Sequence, residues 1–132
     1  MDNILKQVFD YAEKLAKDFY FNIWAKNSPE CPAFDGEVVY ITRSGWEHIA
    51  DDPEKSRMDK LGRFCTFERA KVLLETASHF QDYIKSSDGR FEFWGINGVV
   101  GLVKVRVIVR SVNEGPKHFY SVIRKGSVES EE

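Results

Sequence analysis

The chain has little cysteine, little histidine and almost no net charge. It contains 2 cysteines and 3 histidines in 132 residues, and its 19 basic and 21 acidic side chains leave a formal net charge of −2. Cys31 and Cys65 are too few for a disulfide framework and lack the spacing of metal ligands, so we expect a reduced, cytoplasmic setting. With so small a net charge, the chain as a whole has no strong attraction for nucleic acid.

Several other features are missing from the sequence. No apolar run approaches the roughly 20 residues that span a bilayer, and no basic-then-apolar leader begins the chain, so we expect no membrane partner. The histidines are not spaced as zinc ligands, and we expect neither a metal nor a cofactor. A glycine-rich phosphate loop, a Gly-x-Ser-x-Gly elbow and a His-Glu-x-x-His motif are absent, which argues against the enzyme classes that depend on them.

The sequence does contain enough apolar residues for one folded domain. Hydrophobic residues make up 42% of the chain and aromatic residues 14%, which is typical of a single globular domain with a proper core. We place this domain at residues 1–126 and predict that the acidic tail, residues 127–132, is disordered.

Apolar residues recur at helical spacing in the first part of the chain and at strand spacing later. The predicted elements are a long amphipathic helix at 2–27, a strand at 37–42, a short helix at 46–50, a turn or two of helix in 54–61, a helix at 67–80, a strand from 90 to 94, a turn at 95–98, and a two-stranded ribbon at 99–125 with a turn at 113–116. Helices that precede consecutive strands indicate an α+β domain. We expect the N-terminal helices to pack on one face of a small antiparallel sheet.

The ribbon at residues 99–125 is the most informative stretch, because its two faces differ in chemistry. Its first strand alternates Val103, Val105, Val107 and Val109 with Lys104, Arg106, Ile108 and Arg110. Such a strand buries its valines and presents its cations on the other face. Charged residues on the second face of an antiparallel sheet are often only its solvated side, and that interpretation stays open.

The second strand of the ribbon continues the alternation. It predicts His118, Tyr120 and Arg124 on one face and Phe119, Ser121 and Ile123 on the other. Neighbouring antiparallel strands bring such side chains to within about 5 Å of one another, so an imidazole, a phenol and several cations would converge. That combination suits a phosphate.

Four segments in order resemble a known group of nucleases: VVYITRSGWEHI, ERAKVLLETA, FEFWGINGVVGLVKVRVIVR and KHFYSVIRK. Together they are similar to the phage-associated branch of the barnase, EndoU, colicin and RelE-like (BECR) ribonuclease superfamily. The resemblance covers residues 37–125 and leaves most of the N-terminal helix outside. It implies a RelE-like α+β fold and RNA cleavage without a metal.

Some of the predicted site residues follow from the resemblance, namely His48, Lys104, Arg106 and Ser121, and the others follow from the pattern of the ribbon. The predicted catalytic residues are His48, Arg106, Ser121 and His118, and the predicted substrate-binding residues are Lys104, Arg110, Tyr120 and Arg124. Histidine suits the proton transfers because its ordinary pKa is near neutrality, and His48 is the first candidate. Lys104 and Arg106 would stabilise the charged phosphate. Strict alternation places Ser121 opposite the cations, unless a β-bulge shifts the register.

One position departs from the pattern of this nuclease branch. Related sequences often carry a second histidine about four residues after the first, where this chain has Asp52 before Pro53. An aspartate cannot act as a cation, so the chain either uses a different second catalytic group or is inactive.

The resulting hypothesis is a toxin-like or phage-encoded endoribonuclease that acts on tRNA or mRNA, with a cognate inhibitor protein as a further candidate partner. Two alternatives stay open. One is an inert RNA-binding or protein-binding module on the same scaffold. The other is an immunity or antitoxin-like protein whose N-terminal helix lies in a partner's groove. The sequence leaves the oligomeric state open.

Overall fold

A computed structural model of the protein describes residues 2–128. The helices are α1 (Asp2–Asp18), α2 (Arg43–Ala50), α3 (Arg57–Phe64) and α4 (Phe67–Thr76), and the strands are β1 (Glu30–Cys31), β2 (Glu37–Val38), β3 (Asp82–Lys85), β4 (Phe91–Val100), β5 (Val103–Val112) and β6 (His118–Ser127). β1 pairs with β2, and the other strands form a 4-stranded antiparallel sheet in the order β3-β4-β5-β6. The predicted α+β class, with helices on a small antiparallel sheet, is confirmed.

The core lies between the helices and one face of this sheet. Val103, Val105, Val107 and Val109 are each at most 7% exposed, which confirms the predicted valine face. Burying a valine contributes about 1.5 kcal/mol or more, so a one-residue slip of β5 would be strongly unfavourable. We call the opposite side, which carries Arg106, Ile108 and Arg110, the outer face of the sheet.

The N-terminal helical path continues to Asn27, as predicted, but its winding changes on the way. After α1 come a π-helical segment at Phe19–Trp24 and then a 3-10 turn. Tyr20 and Trp24 are fully buried, and their ring centroids lie 5.6 Å apart. The Tyr20 hydroxyl donates to the Thr42 carbonyl oxygen at 2.6 Å, which ties this path to the start of α2. No helix in the described part of the chain is long and apolar enough to cross a membrane.

The turn predicted at residues 95–98 is wrong, because β4 runs straight through it. Gly95 provides space for an arginine instead, since a Cβ there would lie 2.5 Å from Arg106 Nη2. The chain reverses at Gly101 and Leu102, whose φ angles are 54° and 67°. Two residues with positive φ are typical of a type I′ hairpin turn.

Other element boundaries also differ from the prediction. Strand β3 was not predicted, because its residues, all exposed, show no apolar alternation. Helix α4 ends at Thr76, and the chain then turns so that Phe80 stacks on Phe34 with ring centroids 5.6 Å apart. The strand predicted at 37–42 is regular only at Glu37–Val38.

The C-terminal boundary lies later than predicted. Ser127 is the last residue of β6, and the Val128 amide donates to the Leu102 carbonyl oxygen. The remainder of the predicted acidic tail, residues 129–132, lies outside the described residues.

A β-bulge in β6 changes which side chains reach the outer face. Val109 pairs with Phe119, whereas Ile108 pairs with Ser121, so Tyr120 is an extra residue in the ladder. Paired residues of an antiparallel ladder share a face. Ser121 therefore lies on the outer face with the cations, which strict alternation does not allow.

A second bulge follows near the end of β6. Val105 pairs with Arg124 and Lys104 with Gly126, which leaves Lys125 as the extra residue. Arg124 consequently pairs on the valine side of the sheet, and the prediction that it shares a face with Tyr120 is wrong. The physical reason is the same, because each bulge shifts the alternation by one residue.

Candidate active site on the outer face

Helix α2 packs against strand β6 and carries His48 towards the outer face. Gly45 allows this close approach, since a Cβ there would lie 2.6 Å from the Phe119 carbonyl oxygen and 2.6 Å from the Tyr20 hydroxyl. Trp46 and Ile49 on the same helix are buried in the core. The core side of α2 therefore fixes the position of His48.

His48 stacks on Tyr120, the extra residue of the first bulge. The ring centroids are 3.9 Å apart and the planes are inclined by 23°. Arg110 Cζ lies 4.5 Å from the centroid of the same phenol, and Phe93 meets it edge-on at 5.5 Å. A cation over an aromatic face contributes about 0.5–2 kcal/mol. The structure thus brings the predicted His48, Tyr120 and Arg110 together.

Arg110 connects three elements through its guanidinium. Its Nε donates to His118 Nε2 at 3.1 Å, and its Nη2 donates to Ser44 Oγ at 3.1 Å. Burial first, and then the charge of Arg110, lower the pKa of His118. His118 is therefore a neutral acceptor that positions Arg110, and its Nε2 lone pair is already used.

A second arginine reaches the site from α3. Arg63 Nη1 donates to Ser121 Oγ at 2.6 Å, and its Nε donates to Asp59 Oδ1 at 2.9 Å. Ser121 is only 4% exposed. The bulge thus brings Ser121 to a cation, and that cation is Arg63 rather than one from the sheet.

Lys55 lies beside the backbone of His48. Its Nζ donates to the His48 carbonyl oxygen at 3.1 Å and to Asp52 Oδ2 at 2.7 Å. The hydrogen bond from Lys55 is the main reason that the pKa of Asp52 is low. Position 52 therefore holds an ion-paired aspartate, and Lys55 supplies the nearby cation.

His48 is neutral at neutral pH. Its pKa falls from 6.5 to about 4, mainly because burial removes hydration from the charged imidazole. The positive charges of Lys55, Arg63 and Arg110 lower it further. The charge of Asp52 acts in the opposite direction but does not outweigh them. At pH 7 the ring is therefore a proton acceptor surrounded by cations.

Arg106 lies elsewhere on the outer face. It is four positions along β5 from Arg110, a separation of about 13 Å. Its Nη1 donates to Asp82 Oδ2 at 2.7 Å and to Asn97 Oδ1 at 3.0 Å. Asp82 belongs to β3, across β4 from Arg106 and on the far side from β6. The guanidinium of Arg106 is therefore directed away from His48.

Two other predicted cations also lie outside the cluster. Lys104 is exposed and six positions along β5 from Arg110, a separation of about 20 Å. Arg124 is exposed and donates to Ser127 Oγ at 2.9 Å. The predicted residues near His48 are thus His118, Arg110, Tyr120 and Ser121, without Lys104, Arg106 or Arg124.

Sequence patterns missed several members of the cluster. Ser44, Lys55 and Arg63 come from α2, from the following loop and from α3, where no period or motif distinguishes them from solvated residues. Phe93 had a usable signal, because alternation in the strand places it on the face opposite Trp94, which is buried. In the structure it pairs with Arg110. Among residues 2–128, no three His, Cys, Asp or Glu side chains are grouped to hold a metal ion. The cations around His48 suit an anion.

No family model, curated protein or solved structure matches this chain. Its function is therefore inferred from the site itself.

Proposed function

We propose that the protein is a metal-independent endoribonuclease whose active site is centred on His48. The observation that carries this proposal is a neutral imidazole held among Lys55, Arg63 and Arg110 on the outer face of the sheet. A proton acceptor next to fixed positive charge is what attack of a ribose 2′-OH on its own phosphate requires. We extend this proposal to membership of the BECR superfamily and to a toxin-like or phage-encoded role, on the basis of the resemblance of the four sequence segments.

In the proposed reaction, His48 takes the proton of the 2′-OH while the oxygen attacks phosphorus. Arg110 and Arg63 stabilise the negative charge that develops on the phosphate oxygens. Tyr120 gives its phenolic proton to the leaving 5′-oxygen. The products are a 2′,3′-cyclic phosphate and a 5′-hydroxyl. His48 then returns its proton to the phenolate, which restores the site.

The low pKa of His48 is compatible with this cycle. A phosphate beside the arginines brings negative charge to a site where positive charge disfavours the protonated ring. Bound substrate therefore raises the pKa of His48 while the ring accepts its proton. His118 positions Arg110 and takes no part in proton transfer.

The direct test is cleavage of total tRNA and of a structured mRNA by purified protein in EDTA. We expect products with 2′,3′-cyclic phosphate ends and a loss of about 10²–10⁴-fold in rate for His48→Ala. His79→Ala is the matched control, because His79 is exposed outside the site. Absence of cleavage by the wild-type protein, or equal rates for both variants, would exclude the proposed function.

Stacking of His48 on Tyr120 favours a second candidate, an inert RNA-binding module. A ring pair with centroids 3.9 Å apart holds both side chains in place, and such a pair can serve as structure without chemistry. In that case the protein binds tRNA in a salt-sensitive way and releases it uncut. Tyr120→Phe removes the proton donor and keeps the stacked ring. Cleavage by the wild-type protein that this variant loses, with RNA binding retained, supports the nuclease. RNA binding without cleavage in both proteins supports the inert module.

A further inference from the structure

A cationic groove lies on the outer face, away from the His48 cluster. It has a volume of about 510 Å³. Its lining includes Lys104, Lys125, Arg106, Asn97 and Val99. No residue of the His48 cluster contributes to it, so it requires its own explanation.

The second bulge of β6 places Lys125 in the lining of this groove. Lys125 is the extra residue opposite Lys104, and both side chains are exposed. The acid Asp82 already neutralises Arg106. Within residues 2–128, Lys104 and Lys125 have no acidic partner within ion-pair distance, so their charges are available to a ligand. Two ammonium groups that line one groove repel each other. An anion bound between them offsets this repulsion.

The spacing excludes a shared phosphate for the two sites. Lys104 lies about 20 Å along β5 from Arg110, which is far beyond the reach of one phosphate group. A stacked strand of nucleic acid advances by about 3.4 Å per nucleotide, so this gap corresponds to about six stacked nucleotides, or fewer in an extended strand. The surface between them includes Ile108 and Ile123, which are half-buried and apolar.

We propose that the groove of Lys104 and Lys125 binds the backbone of single-stranded RNA several nucleotides from the phosphate held at Arg110. This inference rests on the proposed function, because it takes the His48 site as the place of the scissile phosphate. Exposed Val99 beside Lys104, and the apolar surface of Ile108 and Ile123, offer contacts to unstacked bases and riboses. The substrate is then an oligonucleotide rather than a dinucleotide.

Binding of 2′-O-methyl RNA, which has no free 2′-OH and is not cleaved, tests the groove without relying on catalysis. Fluorescence anisotropy compares a labelled 12-nucleotide single strand with a trinucleotide over a range of NaCl concentrations. For Lys104→Ala/Lys125→Ala we expect about 10-fold weaker binding of the 12-mer and a salt slope smaller by about 1.4, as two lost phosphate contacts predict. Trinucleotide binding should not change.

Lys14→Ala/Lys17→Ala is the matched control, because it removes the same charge from exposed positions on α1. Equal affinities of the two double variants for the 12-mer would overturn the groove proposal. Equal losses for the 12-mer and the trinucleotide would also overturn it, since they would indicate a general charge effect. If Lys104→Ala/Lys125→Ala lost more affinity for a 12-base-pair duplex than for the single strand, the ligand of the groove would be duplex RNA, and the proposed substrate class would be wrong. None of these outcomes depends on cleavage, whose failure would affect only the proposed function.

Discussion

At the scale of single residues, the protonation state of His48 connects the site to folding stability. In the unfolded chain the imidazole has its ordinary pKa of 6.5, whereas in the folded protein the pKa is about 4. Between these two pH values the imidazole is protonated in the unfolded state and neutral in the folded state. The contribution of His48 to stability is therefore complete above pH 6.5 and is lost as the pH falls towards 4.

We therefore expect the free energy of unfolding of the wild-type protein to drop more between pH 7 and pH 4.5 than that of His48→Gln. The difference should be about 1–2 kcal/mol, after allowance for solvent screening of a half-exposed ring. Urea unfolding followed by tryptophan fluorescence at both pH values measures it. Equal drops in the two proteins would contradict the low pKa.

Arg110 is the residue that electrostatically couples the two histidines of the site. Its charge lowers the pKa of both His48 and His118. NMR titration of Arg110→Gln should therefore show the pKa values of both histidines raised. Arg106→Gln is the control, because that guanidinium is paired with Asp82 and directed away from the site. A rise of the His48 pKa in Arg106→Gln would contradict the described arrangement.

At the scale of elements, the docking of α2 on β6 determines whether the site exists. The helix approaches the strand so closely that Gly45 has backbone and side-chain atoms where a Cβ would go. A larger residue would push α2 outward, together with His48 and the hydrogen bond from Arg110 to Ser44.

Gly45→Ala should destabilise the protein by about 1–3 kcal/mol through overpacking, although alanine favours a helix. Gly62→Ala in α3 is a suitable control, because a Cβ there meets nothing within 4 Å. That substitution should stabilise the protein by up to about 1 kcal/mol. Thermal unfolding of both variants measures the contrast, and a neutral Gly45→Ala would show that α2 does not depend on this approach.

Sequence periodicity could predict the regular part of each element but not its exceptions. The alternating valines of β5 specify a buried face, and the helical stripe specifies the N-terminal path, because burial acts on every residue of these patterns. The bulges of β6 follow from pairing with another strand and leave no mark in the local pattern. For this reason Ser121 and Arg124 exchanged faces relative to the prediction. Gly95 was predicted as a turn residue, because the sequence does not distinguish a glycine needed for a turn from one that leaves space for the Arg106 side chain.

At the scale of the whole molecule, aromatic packing joins the N-terminal path to the sheet. The ring of Tyr20 lies 5.4 Å from that of Phe67 and 6.1 Å from that of Phe119, so it contacts both α4 and β6. Trp24 packs on Phe119 at 4.8 Å. We infer that these elements unfold together.

Tyr20→Phe removes the hydrogen bond to the Thr42 carbonyl oxygen and keeps the ring. It should cost about 1 kcal/mol, because that oxygen still accepts from the Gly45 amide at 3.1 Å. Urea unfolding should stay a single transition with an unchanged slope. Tyr11→Phe, at a residue that is 65% exposed, should have no effect. A separate early transition in Tyr20→Phe would show that the N-terminal path folds independently.

Tyr120 has a special status in the sheet, because the ladder does not need it. Phe119 and Ser121 already pair with consecutive residues of β5, so a strand without Tyr120 would keep every pairing and lose its first bulge. The insertion of a single codon into such a strand would have been enough to add the ring on which His48 now stacks. One genetic step of this kind adds an aromatic surface to the sheet and leaves every pairing between β5 and β6 in place.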